Sequence, residues 1–260
     1  MPEGPEVKRI VTRLNAGLSG QKLRAFNFEN QSYCDKQVRD QILELRQRLD
    51  EEDLTIDSVN CKGKFIWFSL NGGEWYIWHT LGMTGGWRSS NPKKNVMVSL
   101  ETKDGKKWYY KDARRFGTFK VFHNDSAGLE KKLNTLGPDM LSEPPTFEEF
   151  EIRLRKKDHW NITKALMKQT VVSGIGNYIK AEVLYRAGIS PWREVNTLSQ
   201  EELRDIYDET LWVINTAYEK GSYRFKFKVY SKKVSTDGYP VVCEETPDRR
   251  KTWWCPATQR

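Results

Sequence analysis

The sequence is poor in cysteine and has no long apolar run. Its four cysteines, at positions 34, 61, 243 and 255, form no C-x-x-C pair, which argues against a disulfide framework and against a zinc site of four thiolates. No apolar stretch approaches the roughly 20 residues that span a bilayer, and the start, MPEGPEVKRI, has no hydrophobic signal segment. We therefore expect reduced cysteines, no membrane partner, and an intracellular protein that is not secreted.

Positive charge is what the sequence has in excess. Lys and Arg number 43 against 35 Asp and Glu, which gives the 260-residue chain a net charge of +8 and a pI near 9.2. The resulting field attracts phosphate-rich partners, although many soluble proteins only carry a solvated lysine face. Aromatic residues, 12% of the chain, supply core mass and flat rings on which unstacked bases can lie. Composition alone is compatible with nucleic-acid binding and does not establish it.

The first half of the chain has one helix followed by β-rich runs. Residues 5–18 place apolar side chains at helical spacing, with Pro5 suited to the first turn. Short β-rich runs then begin at residues 22, 64, 74, 95, 106 and 117, and turn signals stand at 71–73 and 104–105. This half is predicted to be an antiparallel sandwich or barrel.

The second half changes to helical periodicity from about Asn124. Helices are predicted near residues 129–136, 147–154, 162–169, 177–187 and 199–219, the last opening with a capping box at 199–202. After Gly221 strand-like alternation returns in YRFKFKVY, and Asp237-Gly238 can turn a hairpin. Length and these changes of pattern predict a multidomain α+β chain with segments 1–123, 124–220 and 221–260.

The first six residues contain groups that suit covalent catalysis. Removal of the initiator Met before the small Pro2 is expected, and it leaves a secondary α-amine. Such an amine has an ordinary pKa of about 7.7–8.0, so part of it is neutral and nucleophilic at physiological pH. It can attack a sugar C1′ and give an iminium, the electron sink for β-elimination, with Glu3 as general acid and base. The alternative is that Pro2 and Pro5 only start a helix whose positive end the carboxylates complement.

Five blocks of the sequence resemble the signature blocks of the formamidopyrimidine-DNA glycosylase and endonuclease VIII family. They are PEGPEV at the start, LGMTG at 81–85, DARRFG at 112–117, SGIGNYIKAEVLYRAGI at 173–189 and RKTWWCPA at 250–257. They occur in the family's order and spacing over nearly the whole chain. The resemblance implies an N-terminal helix plus antiparallel β-sandwich, a helix-two-turns-helix domain and a C-terminal β-hairpin finger, with DNA in the cleft between halves.

The resemblance also implies roles for four residues near the reaction. Pro2 is the Schiff-base nucleophile and Glu3 the acid/base that protonates the deoxyribose ring oxygen. Glu6 is a supporting carboxylate, and Lys64, in KGKF, matches a lysine near the lesion phosphate; its alternative is a solvated strand lysine. No metal or organic cofactor is implied.

Two further groups match DNA-contacting positions of the family. Met83, Arg114 and Phe116 match the trio inserted where the damaged nucleotide is everted, an event that costs a few kcal/mol of stacking and pairing; singly, Met83 and Phe116 would be interpreted as core residues. Phosphate-binding positions are matched by Lys164, Asn177 and Arg250. The glycines of Gly174-Ile175-Gly176-Asn177 also suit phosphate on physical grounds, because free amides at a helix start bind anions.

The sequence departs from the family pattern at two places. Zinc-finger members carry two C-x-x-C pairs, whereas this region has only Cys243 and Cys255, so we expect a zincless hairpin with 243–250 as its loose part. The hairpin is predicted to be held by Tyr230, Tyr239, Val241, Trp253 and Trp254. The stretch 220–230 is short where relatives carry a loop over 8-oxoguanine, which favours oxidised pyrimidines, hydantoins or formamidopyrimidines as lesions.

The expected function is a bifunctional DNA glycosylase and abasic-site lyase of base excision repair that nicks DNA by β,δ-elimination. We expect a monomer whose partner is double- or single-stranded DNA with oxidised bases or abasic sites. Two alternatives remain. A tautomerase also uses an amino-terminal proline but needs a strand directly after it, which Glu3-Gly4-Pro5 does not suit. A damaged-DNA-binding module without catalysis would bind abasic DNA without a borohydride-trapped adduct.

Overall fold

The structure is a computed structural model that describes residues 2–30, 33, 36–221 and 224–260. Met1 and Cys34, on which the expectations of Met removal and of a reduced thiol fall, lie outside the described residues. The chain divides into two compact units. One comprises Pro2 and Val7–Asn134, and the other comprises Glu3–Glu6 and Thr135–Arg260. The three predicted segment boundaries stay a prediction.

The first unit begins with the helix that the apolar spacing predicts. Helix α1 spans Gly4–Leu18, and its stripe of Val7, Val11, Leu14 and Leu18 is buried. A second helix, α2 (Lys36–Glu51), was not predicted from the sequence, whose polar residues dominate this stretch. Helix α3 (Ser126–Asn134) ends the unit.

Eight described strands form one continuous antiparallel ladder in the first unit. They are β1 (Lys22–Phe28), β2 (Leu54–Lys62), β3 (Phe65–Leu70), β4 (Trp75–Thr80), β5 (Gly86–Arg88), β6 (Val96–Thr102), β7 (Lys107–Lys111) and β8 (Thr118–His123). Their order is β5-β7-β6-β1-β2-β3-β4-β8. All six predicted β-rich runs are strands, while β2 and β5 were missed.

The two halves of this ladder enclose one apolar core. Strand β2 pairs with β1 at its start and with β3 along its length, so it belongs to both halves. Across the core, the ring centroids of Phe26 in β1 and Phe119 in β8 lie 6.0 Å apart, and those of His79 in β4 and Tyr110 in β7 lie 4.6 Å apart. The predicted antiparallel sandwich is confirmed.

The second unit is built on four helices, α4 (Phe147–Arg155), α5 (Ile162–Met167), α6 (Asn177–Arg186) and α7 (Gln200–Lys220). The predicted capping box is confirmed, because the Ser199 side chain accepts from the Glu202 amide and the Glu202 side chain accepts from the Ser199 amide. Helix α6 is buried over nearly its whole length, from Tyr178 to Tyr185. It is therefore the element around which this unit packs.

The chain ends in an antiparallel hairpin of β9 (Val242–Thr246) and β10 (Arg250–Trp254), which we call the finger hairpin. The predicted hairpin is confirmed, but the expectation that 243–250 is its loose part is wrong. Thr246 and Thr252 are buried and their hydroxyls lie 2.6 Å apart, while the side chain of Asp248, in the turn, is 4% exposed. Tyr230, Val241 and Trp253 pack against a small cluster around Cys255 as predicted, whereas Tyr239 is exposed.

The strand-like alternation of YRFKFKVY does not give a strand in its described part, residues 224–230. Glu182 of α6, fully buried, accepts hydrogen bonds from the amides of Lys228, Val229 and Tyr230 at 2.8, 2.9 and 2.8 Å. These are donors that a strand ladder would need, so the segment wraps around a carboxylate instead. No helix in the described part of the chain is long and apolar enough to cross a membrane.

Candidate active site and nucleic-acid interface

Glu3 is buried against the start of helix α6. Its carboxylate oxygens accept hydrogen bonds from the amides of Tyr178 and Ile179, at 2.9 and 3.2 Å, and the residue is 1% exposed. These amides belong to the first turn of the helix, where backbone N–H groups lack intrahelical partners and the helix dipole is positive. The carboxylate is therefore held in one place, directly after Pro2 in the chain.

Gly176, which precedes α6, makes this approach possible. A Cβ at this position would lie 2.1 Å from Cδ of Glu3, so only glycine leaves room for the carboxylate. The amide of Gly4 also donates to the carbonyl of Gly174 at 2.9 Å, where Gly174 has a φ of +97°. The anion held by the Tyr178 and Ile179 amides is the Glu3 carboxylate, and the phosphate role expected for Gly174-Ile175-Gly176-Asn177 stays a prediction.

Glu6 lies one helical turn further along and is tied to the same place. Its carboxylate accepts from the Glu3 amide at 2.9 Å and from the Tyr178 hydroxyl at 3.1 Å. Burial raises the pKa of Glu6, although these two hydrogen bonds act in the opposite direction. Burial likewise holds the pKa of Tyr178 well above its ordinary value, so the phenol stays a donor. The structure thus brings Glu3 and Glu6 together, and both follow Pro2, which is half-buried, within four positions of the chain.

Asn177 and Arg250, predicted to bind phosphate, are also brought together. The Asn177 side-chain amide donates to the carbonyl of Lys251 at 2.9 Å, so the first residue of α6 holds β10 next to Arg250. Arg250 is exposed at the start of β10. Lys164 is exposed on α5, with its Nζ 4.5 Å from the centroid of the Trp160 ring.

In the first unit, the structure brings together the trio predicted to enter DNA. Met83 lies in the turn 82–84, and Arg114 and Phe116 lie in the segment 113–117 between β7 and β8. Phe116 is 53% exposed, unusual for a large apolar ring, and the Arg114 guanidinium lies 4.8 Å from its centroid. The interpretation of Phe116 as a core residue is therefore wrong, while Met83 is half-buried.

One buried carboxylate, Asp112, holds these two segments, which we call the Asp112 loops. It accepts from the amides of Arg114 and Gly117, at 3.2 and 2.8 Å, and from the Thr84 hydroxyl. The Tyr33 hydroxyl donates to it at 2.6 Å, and the Tyr110 hydroxyl lies 3.3 Å away. Burial acts to raise the pKa of Asp112, but these hydrogen bonds hold it below its ordinary value. Sequence reasoning missed Asp112, although a carboxylate before a run of exposed basic residues was the available signal.

Lys64 lies on a different segment of the first unit from the Asp112 loops. It occupies the two-residue turn with Gly63 between β2 and β3 and is half-buried. The turn needs a positive φ, and Gly63 supplies it at +57°. The residue thus stands at the end of a strand pair, where a lysine can reach solvent.

Three charged residues of the second unit were also missed. Lys180 and Glu182 are fully buried in α6, and Lys180 Nζ pairs with Asp248 of the finger hairpin at 2.7 Å. Charged residues inside a mostly apolar helix were the signal, since buried charges need partners. The two hairpin-region cysteines differ in environment, with Cys243 exposed and Cys255 buried. Within the described residues, no three His, Cys, Asp or Glu side chains cluster as metal ligands would.

Comparison with known proteins gives matches over most of the chain. Residues 1–119 match the family model described as "Formamidopyrimidine-DNA glycosylase N-terminal domain", and residues 136–228 match "Formamidopyrimidine-DNA glycosylase H2TH domain", which confirms the predicted helix-two-turns-helix. A curated formamidopyrimidine-DNA glycosylase from Thermus thermophilus is 34% identical over 242 residues, 92% of this chain and 83% of that protein.

Two solved structures share the fold. The MutM (Fpg) protein of Thermus thermophilus superposes with a TM-score of 0.82 at 28% identity, over 99% of this chain and 98% of that one. The Lactococcus lactis Fpg protein, in complex with DNA containing an abasic site, superposes with a TM-score of 0.85 at 24% identity, over 99% of both chains. The predicted α+β architecture is confirmed.

Proposed function

The chain belongs to the formamidopyrimidine-DNA glycosylase family, as a DNA glycosylase of base excision repair, and on that premise we propose that the same site also cleaves the DNA strand through a Schiff base on Pro2. The observation that carries this proposal is the Glu3 carboxylate, which is buried and anchored by two helix amides and directly follows Pro2 in the chain. A carboxylate fixed next to a potential nucleophile is the arrangement that acid–base catalysis requires.

The first step is attack by the Pro2 nitrogen on C1′ of the damaged nucleotide. Removal of Met1 frees this nitrogen, and an α-amine, which ordinarily has a pKa of about 7.7–8.0, is partly neutral and carries an available lone pair at neutral pH. The new N–C1′ bond forms as the bond from C1′ to the base breaks, and the base leaves with the proton that the Pro2 nitrogen gives up on bonding to C1′. Glu3 donates a proton to the ring oxygen, the C1′–O4′ bond opens, and the positive charge rests on an iminium at Pro2.

Strand cleavage follows from that iminium. It makes the C2′ protons acidic, so loss of one expels the 3′ phosphate by β-elimination, and a second elimination expels the 5′ phosphate. Water then hydrolyses the remaining adduct and returns the free amine. Glu6, tied to the Glu3 amide and the Tyr178 hydroxyl, supports the position of Glu3 throughout.

Base eversion is assigned to the Asp112 loops. An everted nucleotide leaves a gap in the stack and an unpaired partner base, which costs a few kcal/mol. The exposed Phe116 ring offers a flat apolar surface, Met83 an apolar wedge and Arg114 a donor for the orphaned base. The exposure of Phe116 supports this role, since a ring that belonged to the core would be covered.

Phosphate binding is assigned to Lys64, Lys164, Asn177 and Arg250, with DNA as the partner. The related Lactococcus lactis protein was crystallised with abasic-site DNA, and the net charge of +8 suits a polyanion. For the lesion we favour oxidised pyrimidines, hydantoins and formamidopyrimidines over 8-oxoguanine. The short stretch 220–230, whose amides at 228–230 are bound to Glu182, supports this preference because it leaves little chain to fold over an everted 8-oxoguanine.

The test is borohydride trapping on duplex DNA with a preformed abasic site. The intact protein should give one covalent adduct per active molecule, and Pro2→Gly should give none, whereas Pro5→Ala, a matched proline three residues away, should still trap. Mass spectrometry of the active protein should find the Pro2 amine free. Tight binding of abasic DNA without any adduct would instead identify a damage-binding module, and a lesion panel headed by 8-oxoguanine would overturn the substrate preference.

A further inference from the structure

Helix α6 holds the finger hairpin on both sides of Arg250. On one side the Asn177 side chain donates to the carbonyl of Lys251, at 2.9 Å. On the other side Lys180 Nζ pairs with Asp248 Oδ2, at 2.7 Å. Asn177 and Lys180 are three residues apart and so project from the same face of the helix. Arg250 therefore sits between two attachment points that belong to one rigid element.

The Lys180–Asp248 ion pair is shielded from solvent, and both carboxylate oxygens of Asp248 have a hydrogen-bond partner. Lys180 is 0% exposed and the Asp248 side chain 4% exposed, and the second carboxylate oxygen of Asp248 accepts from the Thr246 hydroxyl at 2.6 Å. A buried ion pair is weak evidence for stability, because apolar residues of similar volume often stabilise a fold equally well. The ion pair instead specifies a position, because it fixes the turn 247–249 at one place on α6.

We propose that Lys180 is a positioning residue, which acts through Asp248 to hold the finger hairpin so that Arg250 meets a DNA phosphate. This inference rests on the proposed function, in which Arg250 binds phosphate. Lys180 is too deeply buried to contact DNA itself. Any loss of a phosphate contact on its substitution must therefore come through the residues that it positions.

The same helix supplies a matched control. Arg186, six residues further along α6, forms an ion pair with Glu209 of α7, and the two side chains are 17% and 28% exposed. This pair joins α6 to a helix and does not involve the finger hairpin. Its loss should change stability without changing the number of phosphate contacts.

The experiment measures how binding of a duplex with a tetrahydrofuran abasic analogue depends on salt. Each phosphate contact contributes about 0.9 to the slope of log K against log salt concentration. Arg250→Gln should reduce the slope by about 0.9, and Lys180→Met should reduce it by a similar amount. The variant that combines Arg250→Gln with Lys180→Met should show no further reduction, because both substitutions remove the same phosphate contact. Lys180→Arg, which keeps the charge, should restore the slope, and Arg186→Gln should leave it unchanged.

The outcomes separate the two proposals. An unchanged slope in Arg250→Gln would overturn the phosphate role of Arg250 and the inference with it. A reduced slope in Arg250→Gln with a full slope in Lys180→Met would overturn the positioning role alone. Should Lys180→Met fail to fold, Lys180→Met/Asp248→Leu removes both charges and leaves none unpaired. The same reduction is expected in that variant, and a full slope there would equally overturn the proposal.

Discussion

Two buried carboxylates, Glu3 and Asp112, are anchored in the same way but have different surroundings. Each accepts hydrogen bonds from two backbone amides, Glu3 from the start of α6 and Asp112 from its own loop. Asp112 additionally binds the hydroxyls of Thr84 and Tyr33 and so ties segments of the scaffold together. Glu3 instead lies next to the proposed nucleophile. Anchoring by amides therefore does not reveal whether a carboxylate performs chemistry or displays other residues, and substitution has to separate the two.

The sharpest separation is expected from Glu3→Gln. Glutamine keeps an oxygen that can accept from the Tyr178 or Ile179 amide but cannot transfer a proton, so the rate of adduct formation should fall by about 10²–10⁴. Single-turnover trapping on abasic DNA measures this. Glu201→Gln, an exposed carboxylate in the first turn of α7, should trap at the normal rate. A Glu3→Gln protein of normal rate would place Glu3 with Asp112 as a scaffold residue.

Asp112→Asn, unlike Glu3→Gln, should lower stability and base removal while leaving the trapping rate on abasic DNA unchanged. The asparagine NH2 group would face donors that now bind a carboxylate, at a cost of about 1–3 kcal/mol in the free energy of unfolding. Processing of a base-containing duplex should fall, because the Asp112 loops lose their anchor, while trapping on preformed abasic DNA should persist. Urea unfolding and paired activity assays test this, with the exposed Asp40→Asn of α2 as control. Equal losses on both substrates would contradict the division of roles.

Acid should lower the free energy of unfolding of the protein through His79, a buried residue of β4 in the core of the sandwich. Burial lowers the pKa of His79 to about 3, from an ordinary 6.5, and the ring stacks on Phe119 with centroids 4.0 Å apart. Between these values the unfolded chain binds the proton and the folded one does not, so stability falls as pH falls. From pH 6.5 to pH 5 the loss should be about 2 kcal/mol.

Urea unfolding at a series of pH values checks the His79 contribution. His79→Gln should flatten the dependence between pH 5 and about 6.5, whereas His159→Gln, whose side chain is 83% exposed, should leave it unchanged. An equally steep curve in His79→Gln would assign the acid sensitivity to other groups.

The smallest expected effect is that of Tyr178→Phe at the Glu3 site. Its hydroxyl donates to Glu6 and lowers the pKa of that carboxyl, so its loss should raise the pKa further and move the acid limb of the trapping rate to higher pH. The stability cost should be about 1 kcal/mol. Tyr207→Phe removes a hydroxyl that donates to the Pro145 carbonyl at 2.6 Å, and it should cost similar stability without moving the pH profile. Coincident profiles for the two variants would contradict the link to Glu6.

The elements that could be predicted from sequence are those whose pattern is local. Helix α1 follows from an apolar stripe, α7 from a capping box, and six of the strands from short β-rich runs. Residues 224–230 show the limit, because their alternation is that of a strand and Glu182, over forty positions earlier, takes the amides instead. Helix α2 was missed although Ile42, Leu45 and Leu49, all buried, recur at helical spacing within its otherwise polar sequence.

The candidate site was predicted as a set of residues but not as an arrangement. Motif blocks identified Glu3, Asn177 and Arg250, yet none of them indicates that Glu3 occupies the α6 amides or that Lys180 holds the turn before Arg250. These contacts join residues about 175 and 68 positions apart. Local spacing carries no information on such pairs, which only the tertiary fold creates.

Glu182 binds residues 228–230 through their backbone amides and not through their side chains, so the side chains there can be varied by directed evolution. Every amino acid except proline supplies the N–H that Glu182 accepts, so a library at the half-buried positions Lys228 and Tyr230 can alter the chemistry of the segment while its backbone path persists. Val229 is buried and is best kept apolar. If the proposed lesion preference depends on this segment, such a library should change it without a redesign of the scaffold.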